Sequence, residues 1–266
     1  VLTVVYALLW AALIAYGLGL LQRIRWAGWA STGVVAVAWG ILTMLLIQRG
    51  YAAGHWPLAN RFEFGLCFLW AQLAIQLLLE WSTQERRWGG FGVVIALLVA
   101  TFLITRPAEQ REVTRLTPAL RSVWLPIHGL TAAMGYGACS AAAGLGLMQL
   151  VRPAAAGRGW PAAGWIDRAT ARSVSLSFPW LTLSILTGAI WAEAAWGRYW
   201  GWDPKETWSL VVWLAYLIFL HLRSLPRWRG RRLGAVAVAA FALLACGFVG
   251  LPWLVRLVRL ETLHGF

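Results

Sequence analysis

Four histidines and a crowded run of tryptophans are the residues of this chain best suited to do chemistry. The histidines are His55, His128, His221 and His264. Trp191, Trp196, Trp200, Trp202, Trp208 and Trp213 fall within the 23 residues WAEAAWGRYWGWDPKETWSLVVW, six of the 20 tryptophans in the chain. Imidazole nitrogens bind metals and move protons, and indoles offer broad apolar faces with a single N–H. Arg198 and Lys205 lie inside the same run, where a cation can hold an anionic group by charge-assisted hydrogen bonds. Cys67, Cys139 and Cys246 are isolated within apolar stretches, with no C-x-x-C pair. They read as packing residues, not as a thiol relay or a metal site.

The elements that position these residues follow from composition. Of 266 residues, 60% are hydrophobic and 12% charged, and the mean hydropathy is +0.66. A soluble domain has about 45–50% apolar and about 25% charged residues, so an ordinary soluble fold is excluded. Apolar runs at 3–22, 29–48, 64–80, 88–105, 124–150, 173–195, 206–222 and 233–251 approach the ~20 residues that a membrane helix needs. The expected fold is therefore all-α: a polytopic membrane protein of about eight transmembrane helices, a single domain over 1–266 in a lipid bilayer. The first run has no basic lead and no small-residue cleavage site, so it reads as a retained span.

An even number of spans puts both termini on one side. The connections after spans 1, 3, 5 and 7 hold 13 of the 23 Lys and Arg, but three of the ten Asp and Glu. Their clearest part is Arg223, Arg227, Arg229, Arg231 and Arg232. Basic residues favour the cytoplasmic side, so these connections are expected there and both termini outside, on the periplasmic face of the inner (cytoplasmic) membrane. The net charge of +13 then orients the chain and does not imply nucleic acid as a partner. The 151–172 connection reads as a loose loop, 106–122 as a solvated surface helix, and the tail from Pro252 as a short amphipathic helix on the outer interface.

This layout sorts the histidines. His55, His128 and His264 fall on the outer side, while His221 ends span 7, roughly 25 Å from Pro204 at about 1.5 Å per residue. The Trp-rich segment lies at the outer edge between spans 6 and 7. Interface tryptophans commonly anchor a protein in the bilayer, but six around one connection exceed that need. Indoles at an outer edge with imidazoles from other helices suit a large planar ligand, and haem fits, being an apolar macrocycle with axial histidines and two anionic propionates. Arg198 and Lys205 then read either as propionate partners or as ordinary loop cations. Asp203-Pro204-Lys205-Glu206 has the form of an N-cap, a first-turn proline and a capping-box glutamate, so Asp203 and Glu206 are expected to start span 7 and hold the Trp-rich surface indirectly.

WGRYWGWDPKETW, at 196–208 in a WWD segment taken as 191–208, closely resembles the WWD signature of haem-handling proteins, and its DPKETW continuation resembles the CcsA/ResC branch of system II cytochrome c biogenesis. The likeness runs on to LHLR around His221 and is weaker in GHWPLANRFEF around His55. It implies that His128 and His264 are axial ligands to the iron of haem b at the outer site, and that His221 is a ligand to haem within the membrane. Trp191, Trp196, Trp200, Trp202 and Asp203 would form the haem-binding segment. The chain departs from the family pattern near its end, where it reads GLPWLVRLVRLETLHGF. The resemblance also implies a CcsB/ResB-type membrane partner, and His221 is the one histidine expected at the inner face, so a second ligand there would come from another chain.

The function expected is haem export across the membrane and presentation to the Cys-x-x-Cys-His segment of apocytochrome c for thioether attachment, as a subunit of a holocytochrome c synthase. No residue reads as a catalytic acid, base or nucleophile. Two rivals are a transporter of another substrate, which would show broken helices or charges at mid-membrane depth, and a membrane scaffold that docks assembly proteins.

Overall fold

The computed structural model describes residues 1–21, 25–113, 118–157 and 159–250. Helices α1 (Leu2–Leu21), α2 (Arg25–Ala53), α3 (Arg61–Thr83) and α4 (Gly89–Ile104) come first, followed by the single turn α5 (Ala108–Arg111). Next are α6 (Trp124–Val151), α7 (Ala163–Trp196), α8 (Pro204–Leu222) and α9 (Arg231–Ala245), which continues as a π turn over Cys246–Gly250. No strand occurs among the described residues. The chain is an all-α polytopic membrane protein. Among the described residues, six helices, α1, α2, α3, α6, α7 and α9 with its π turn, are long and apolar enough to cross a bilayer. The other two expected spans are the apolar 16-residue α4 and α8, which carries Lys205 and Glu206 in its first turn.

Two expectations change. α7 starts at Ala163, ten residues before the apolar run, so the loop expected at 151–172 shrinks to the segment before Ala163. At about 1.5 Å per residue its 34 residues span about 51 Å against a ~30 Å hydrocarbon core. The protruding turns carry Asp167, Arg168 and Arg172, which hydropathy reads as loop. The surface helix expected at 106–122 is instead α5 and a 3₁₀ turn at Pro118–Arg121. Pro107 and Pro118 open these two pieces, and proline cannot continue a preceding helix. The expected amphipathic tail and His264 lie outside the described residues.

α6 packs against α3, α4, α7 and α9. Its glycines allow this: a Cβ at Gly137 would sit 2.8 Å from the α3 backbone at Ala71 and Gln72, and one at Gly146 would sit 2.7 Å from the Gly234 carbonyl of α9. Helix association in lipid relies on such small-residue contacts, because apolar burial gives little drive there. A buried polar cluster ties α1–α4 together. The Glu80 carboxylate, fully buried, accepts from Tyr16 Oη (2.7 Å), Thr32 Oγ1 (2.5 Å) and Gln76 Nε2 (3.0 Å).

Candidate functional site

The alternating helices bring the starts of α3, α6 and α8 and the ends of α4, α7 and α9 to one end of the bundle. His128 stands there in the second turn of α6. Its Nδ1 is 2.9 Å from the Ser184 carbonyl of α7. A carbonyl only accepts, so Nδ1 carries the proton and Nε2 holds the lone pair that a metal would use. Second-shell bonds of this kind fix the tautomer and ring orientation of metal-binding histidines. The imidazole is also stacked on Trp191, with centroids 6.1 Å apart and planes 5° from parallel.

The face of α7 that receives His128 is Ser184, Thr187, Gly188 and Trp191, at the i, i+3, i+4, i+7 spacing of one helical side. Gly188 is needed for the approach, since a Cβ there would lie 2.9 Å from His128 Cε1 and Nδ1. Thr131 Oγ1, one turn along α6, accepts or donates across to Thr187 Oγ1 at 3.3 Å. Sequence reasoning identified His128 and Trp191 but missed Ser184 and Gly188. The spacing that leads back from Trp191 was the available signal.

The six tryptophans divide into three kinds. Trp191 and Trp196 pack together, centroids 4.9 Å apart at 64°, so Trp196 extends the surface that begins at His128. Trp200 and Trp202 pair edge-on in the loop. Trp208 and Trp213 are structural pins: Trp208 Nε1 donates to the Leu243 carbonyl of α9 (2.8 Å), and Trp213 Nε1 donates to Thr182 Oγ1 of α7 (2.9 Å).

Trp202 has φ +56, a left-handed conformation uncommon for a bulky residue and typical of strained functional segments. The residue is 68% exposed. The amides on both sides of it, those of Gly201 (2.8 Å) and Asp203 (3.2 Å), donate to Glu206 Oε2. Asp203 caps α8 by accepting from the Lys205 amide at 2.8 Å, and with Glu206 completes the capping box. Both carboxylates thus act on backbone, as the sequence reading expects. Arg198 folds back on its own loop, where a Cβ at Gly201 would lie 2.6 Å from its Cζ.

The remaining histidines stand apart. His55 Nδ1 donates to the Trp56 carbonyl at 2.8 Å in the α2–α3 connection. That connection rests on α6 beside His128, where a Cβ at Gly129 would lie 3.0 Å from Leu58. His221 is exposed at the far end of α8, on the side that also exposes Leu214, Leu217 and Ile218. Its neighbour Arg223 is tied to α7, donating to Ser175 Oγ (2.6 Å) and the Ala171 carbonyl (3.3 Å). Among the described residues, no group of three or more His, Cys, Asp or Glu is arranged to hold a metal ion.

Residues 58–258 match the family described as cytochrome C assembly protein. The match includes His128, the Trp-rich segment and His221. The chain is 34% identical over 255 residues to the cytochrome c biogenesis protein CcsA of Synechococcus sp. (strain CC9902), covering 82% of this chain and 81% of that protein. It is 28% identical over 271 residues to the CcsA of Guillardia theta, covering 91% and 89%. Among solved structures, a chain named cytochrome c heme lyase CcmF superposes with a TM-score of 0.70 at 16% identity. The superposition covers 98% of this chain and 51% of that one, so the folds are alike.

Proposed function

The chain belongs to the cytochrome c assembly protein family, so its role is in cytochrome c biogenesis, and from that premise we propose that it carries haem to the His128 end of the bundle and presents it there to apocytochrome c. The observation that carries this reading is the bond from His128 Nδ1 to the Ser184 carbonyl. It commits the proton to Nδ1 and leaves Nε2 as the donor to iron, beside a surface of indoles. Haem is the cargo in this reading, and His264 supplies the second axial ligand.

The ring geometry sharpens the role of Trp191. Trp191 is parallel to the imidazole and would orient the histidine that offers Nε2 to haem, while Trp196, Trp200 and Trp202 would supply apolar faces to the macrocycle. In attachment, each cysteine S–H of a Cys-x-x-Cys-His segment adds across a haem vinyl C=C: a C–S bond forms, the proton goes to the vinyl carbon, and there is no net oxidation or reduction. No acid, base or nucleophile of this chain is required, so its contribution is positioning. This makes it a subunit of a holocytochrome c synthase.

His221 supports the second part of the reading. It faces outward among exposed apolar side chains, so haem bound there is shared with another membrane chain of the CcsB/ResB type. With the periplasmic side assigned to the His128 end, haem enters near His221 and leaves at His128. Purified protein tests this through haem content and through thioether formation on an apocytochrome c peptide. The proposal expects both to fall in His128→Ala and in His264→Ala. Haem-free protein that still supports attachment would favour a docking scaffold, and a bound small molecule other than haem would favour a different transporter.

A further inference from the structure

The carboxyl of Glu80 is a titratable group that the reading above leaves unused. It lies one turn before the end of α3 at Thr83, about 28 Å along that helix from Arg61 at the His128 end, counting ~1.5 Å per residue. It is fully buried, and among the described residues no Lys or Arg forms an ion pair with it. The groups against it are uncharged on every helix: Tyr16 of α1, Thr32 of α2, Gln76 of α3 and the first turn of α4. That turn comes close because it begins with Gly89, where a Cβ would strike Glu80 Oε1 and lie 2.5 Å from Tyr16 Cζ. The charges of the α3–α4 connection are engaged elsewhere. Arg87 pairs with Glu85, and the Arg86 guanidinium lies 3.3 Å from the centroid of Trp29. Ionisable residues within membrane spans are costly and mark functional sites.

The oxygen distances count the protons of this cluster. Thr32 Oγ1 is 2.5 Å from Glu80 Oε2 and 2.9 Å from the Gly28 carbonyl, yet a hydroxyl has one hydrogen to give and a carbonyl only accepts. With a proton on Glu80 Oε2 both contacts are hydrogen bonds: the carboxyl donates to Thr32, and Thr32 donates to Gly28. Without it, one of the two sets lone pair against lone pair. The rest of this side of α3 also has acceptors to spare. Gln72, Gln76 and Glu80 follow at i, i+4 and i+8, and the two amide nitrogens donate to the Gly92 (3.0 Å) and Gly89 (3.1 Å) carbonyls. Oε1 of both glutamines is buried without a donor among the described residues. The ionised form has supports of its own. Tyr16 (2.7 Å) and Gln76 (3.0 Å) donate to Glu80 Oε1, and the carboxyl lies at the first turn of α4, the positive end of that helix dipole.

We propose that Glu80 is an intramembrane proton-exchange site, which takes up one proton at Oε2 from the α3–α4 face and returns it there. Tyr16, Thr32 and Gln76 hold the carboxyl in both forms. Uptake makes one O–H bond and turns the Thr32 hydrogen from Oε2 to the Gly28 carbonyl, so the change of charge is passed to α2 by the rotation of a single hydroxyl. No helix has to unfold for the exchange. The site stands at the opposite end of α3 from His128 and does not depend on the reading of that histidine as a haem ligand.

Infrared spectra of the full chain in lipid nanodiscs, taken through a pH titration, test the proposal. A protonated carboxyl has a C=O stretch that a carboxylate lacks. One such band should disappear reversibly as pH rises and be absent from Glu80→Gln, which keeps an acceptor and a donor at the site. In Tyr16→Phe the band should move to higher frequency, because the C=O loses a donor. Dicyclohexylcarbodiimide, an apolar reagent for protonated carboxyls, gives a second readout that needs no variant: it should modify Glu80 of the native chain at low pH and several times less at high pH, read from peptide masses. A Glu80 band that persists through the whole range in which the helices stay intact would show a fixed structural acid. Neither band nor modification at any pH would show a permanent carboxylate. Either result overturns the proposal, as does a band that does not respond to Tyr16→Phe.

Discussion

The His128 imidazole and the Trp191 indole lie 5° from parallel with centroids 6.1 Å apart, and both are anchored on one side of α7. That side also provides the Ser184 carbonyl to His128 Nδ1. The Trp-rich segment and the histidine are therefore one unit: the helix leading into the segment sets the tautomer of His128, its ring plane and the start of the aromatic surface.

Gly188→Ala tests that unit directly. Alanine in a helix is favoured over glycine by roughly 0.5–1 kcal/mol, so helix formation should not suffer. The added Cβ, 2.9 Å from the imidazole, should displace His128 and lower haem occupancy severalfold, read as the Soret absorbance per mole of protein. Retained occupancy with a raised melting temperature would show that the imidazole has room to move.

Glu206 separates capping from presentation. Glu206→Gln keeps an oxygen to accept from the Gly201 and Asp203 amides, whereas Glu206→Ala removes it. Losing a cap costs about 1 kcal/mol, and here it also frees Trp202 from its left-handed conformation. Quenching of tryptophan fluorescence by added haem should weaken in Glu206→Ala and persist in Glu206→Gln. Equal quenching in the two variants would remove Glu206 from the account of Trp202.

The tryptophans that serve as pins should behave unlike those of the loop. Trp208→Phe and Trp213→Phe each delete one interhelical N–H donor, worth about 0.6–2 kcal/mol in a membrane bundle. Thermal unfolding in detergent should shift downward by a few degrees while the haem spectrum keeps its shape. Trp196→Phe and Trp202→Phe should do the reverse.

Glu80→Ala is expected to loosen the α1–α2 hairpin without touching the His128 end. Removing a buried acceptor leaves Tyr16 Oη without its partner, at a cost of about 1–3 kcal/mol, while Thr32 keeps the Gly28 carbonyl and Gln76 the Gly89 carbonyl. Hydrogen exchange should rise in α1 and α2, with haem affinity unchanged.

Much of the fold was legible because a bilayer imposes a length and an apolarity that a sequence cannot hide. The long helices among the described residues follow apolar runs, and the capping box at Asp203 and Glu206 reads directly from residue types. The start of α7 was not legible, since its protruding turns carry Asp167, Arg168 and Arg172 and look like loop. In the site, His128 and the indoles stood out by type. Ser184 and Gly188 did not, because a serine and a glycine in an apolar helix show their role only through what crosses to them from α6. The division of six tryptophans into pins and surface was likewise invisible, as it depends on which carbonyl or hydroxyl each N–H meets across helices.

The most direct measurement is chemical rescue at His128. In His128→Gly, the fold loses the imidazole but gains space for a free one at the same place. The account predicts that the purified chain loses the part of the Soret band due to this site and regains it when imidazole is added, while His221→Gly leaves that part in place. A Soret band unchanged in His128→Gly, or lost and not restored by imidazole, would contradict the assignment of His128 as the haem ligand.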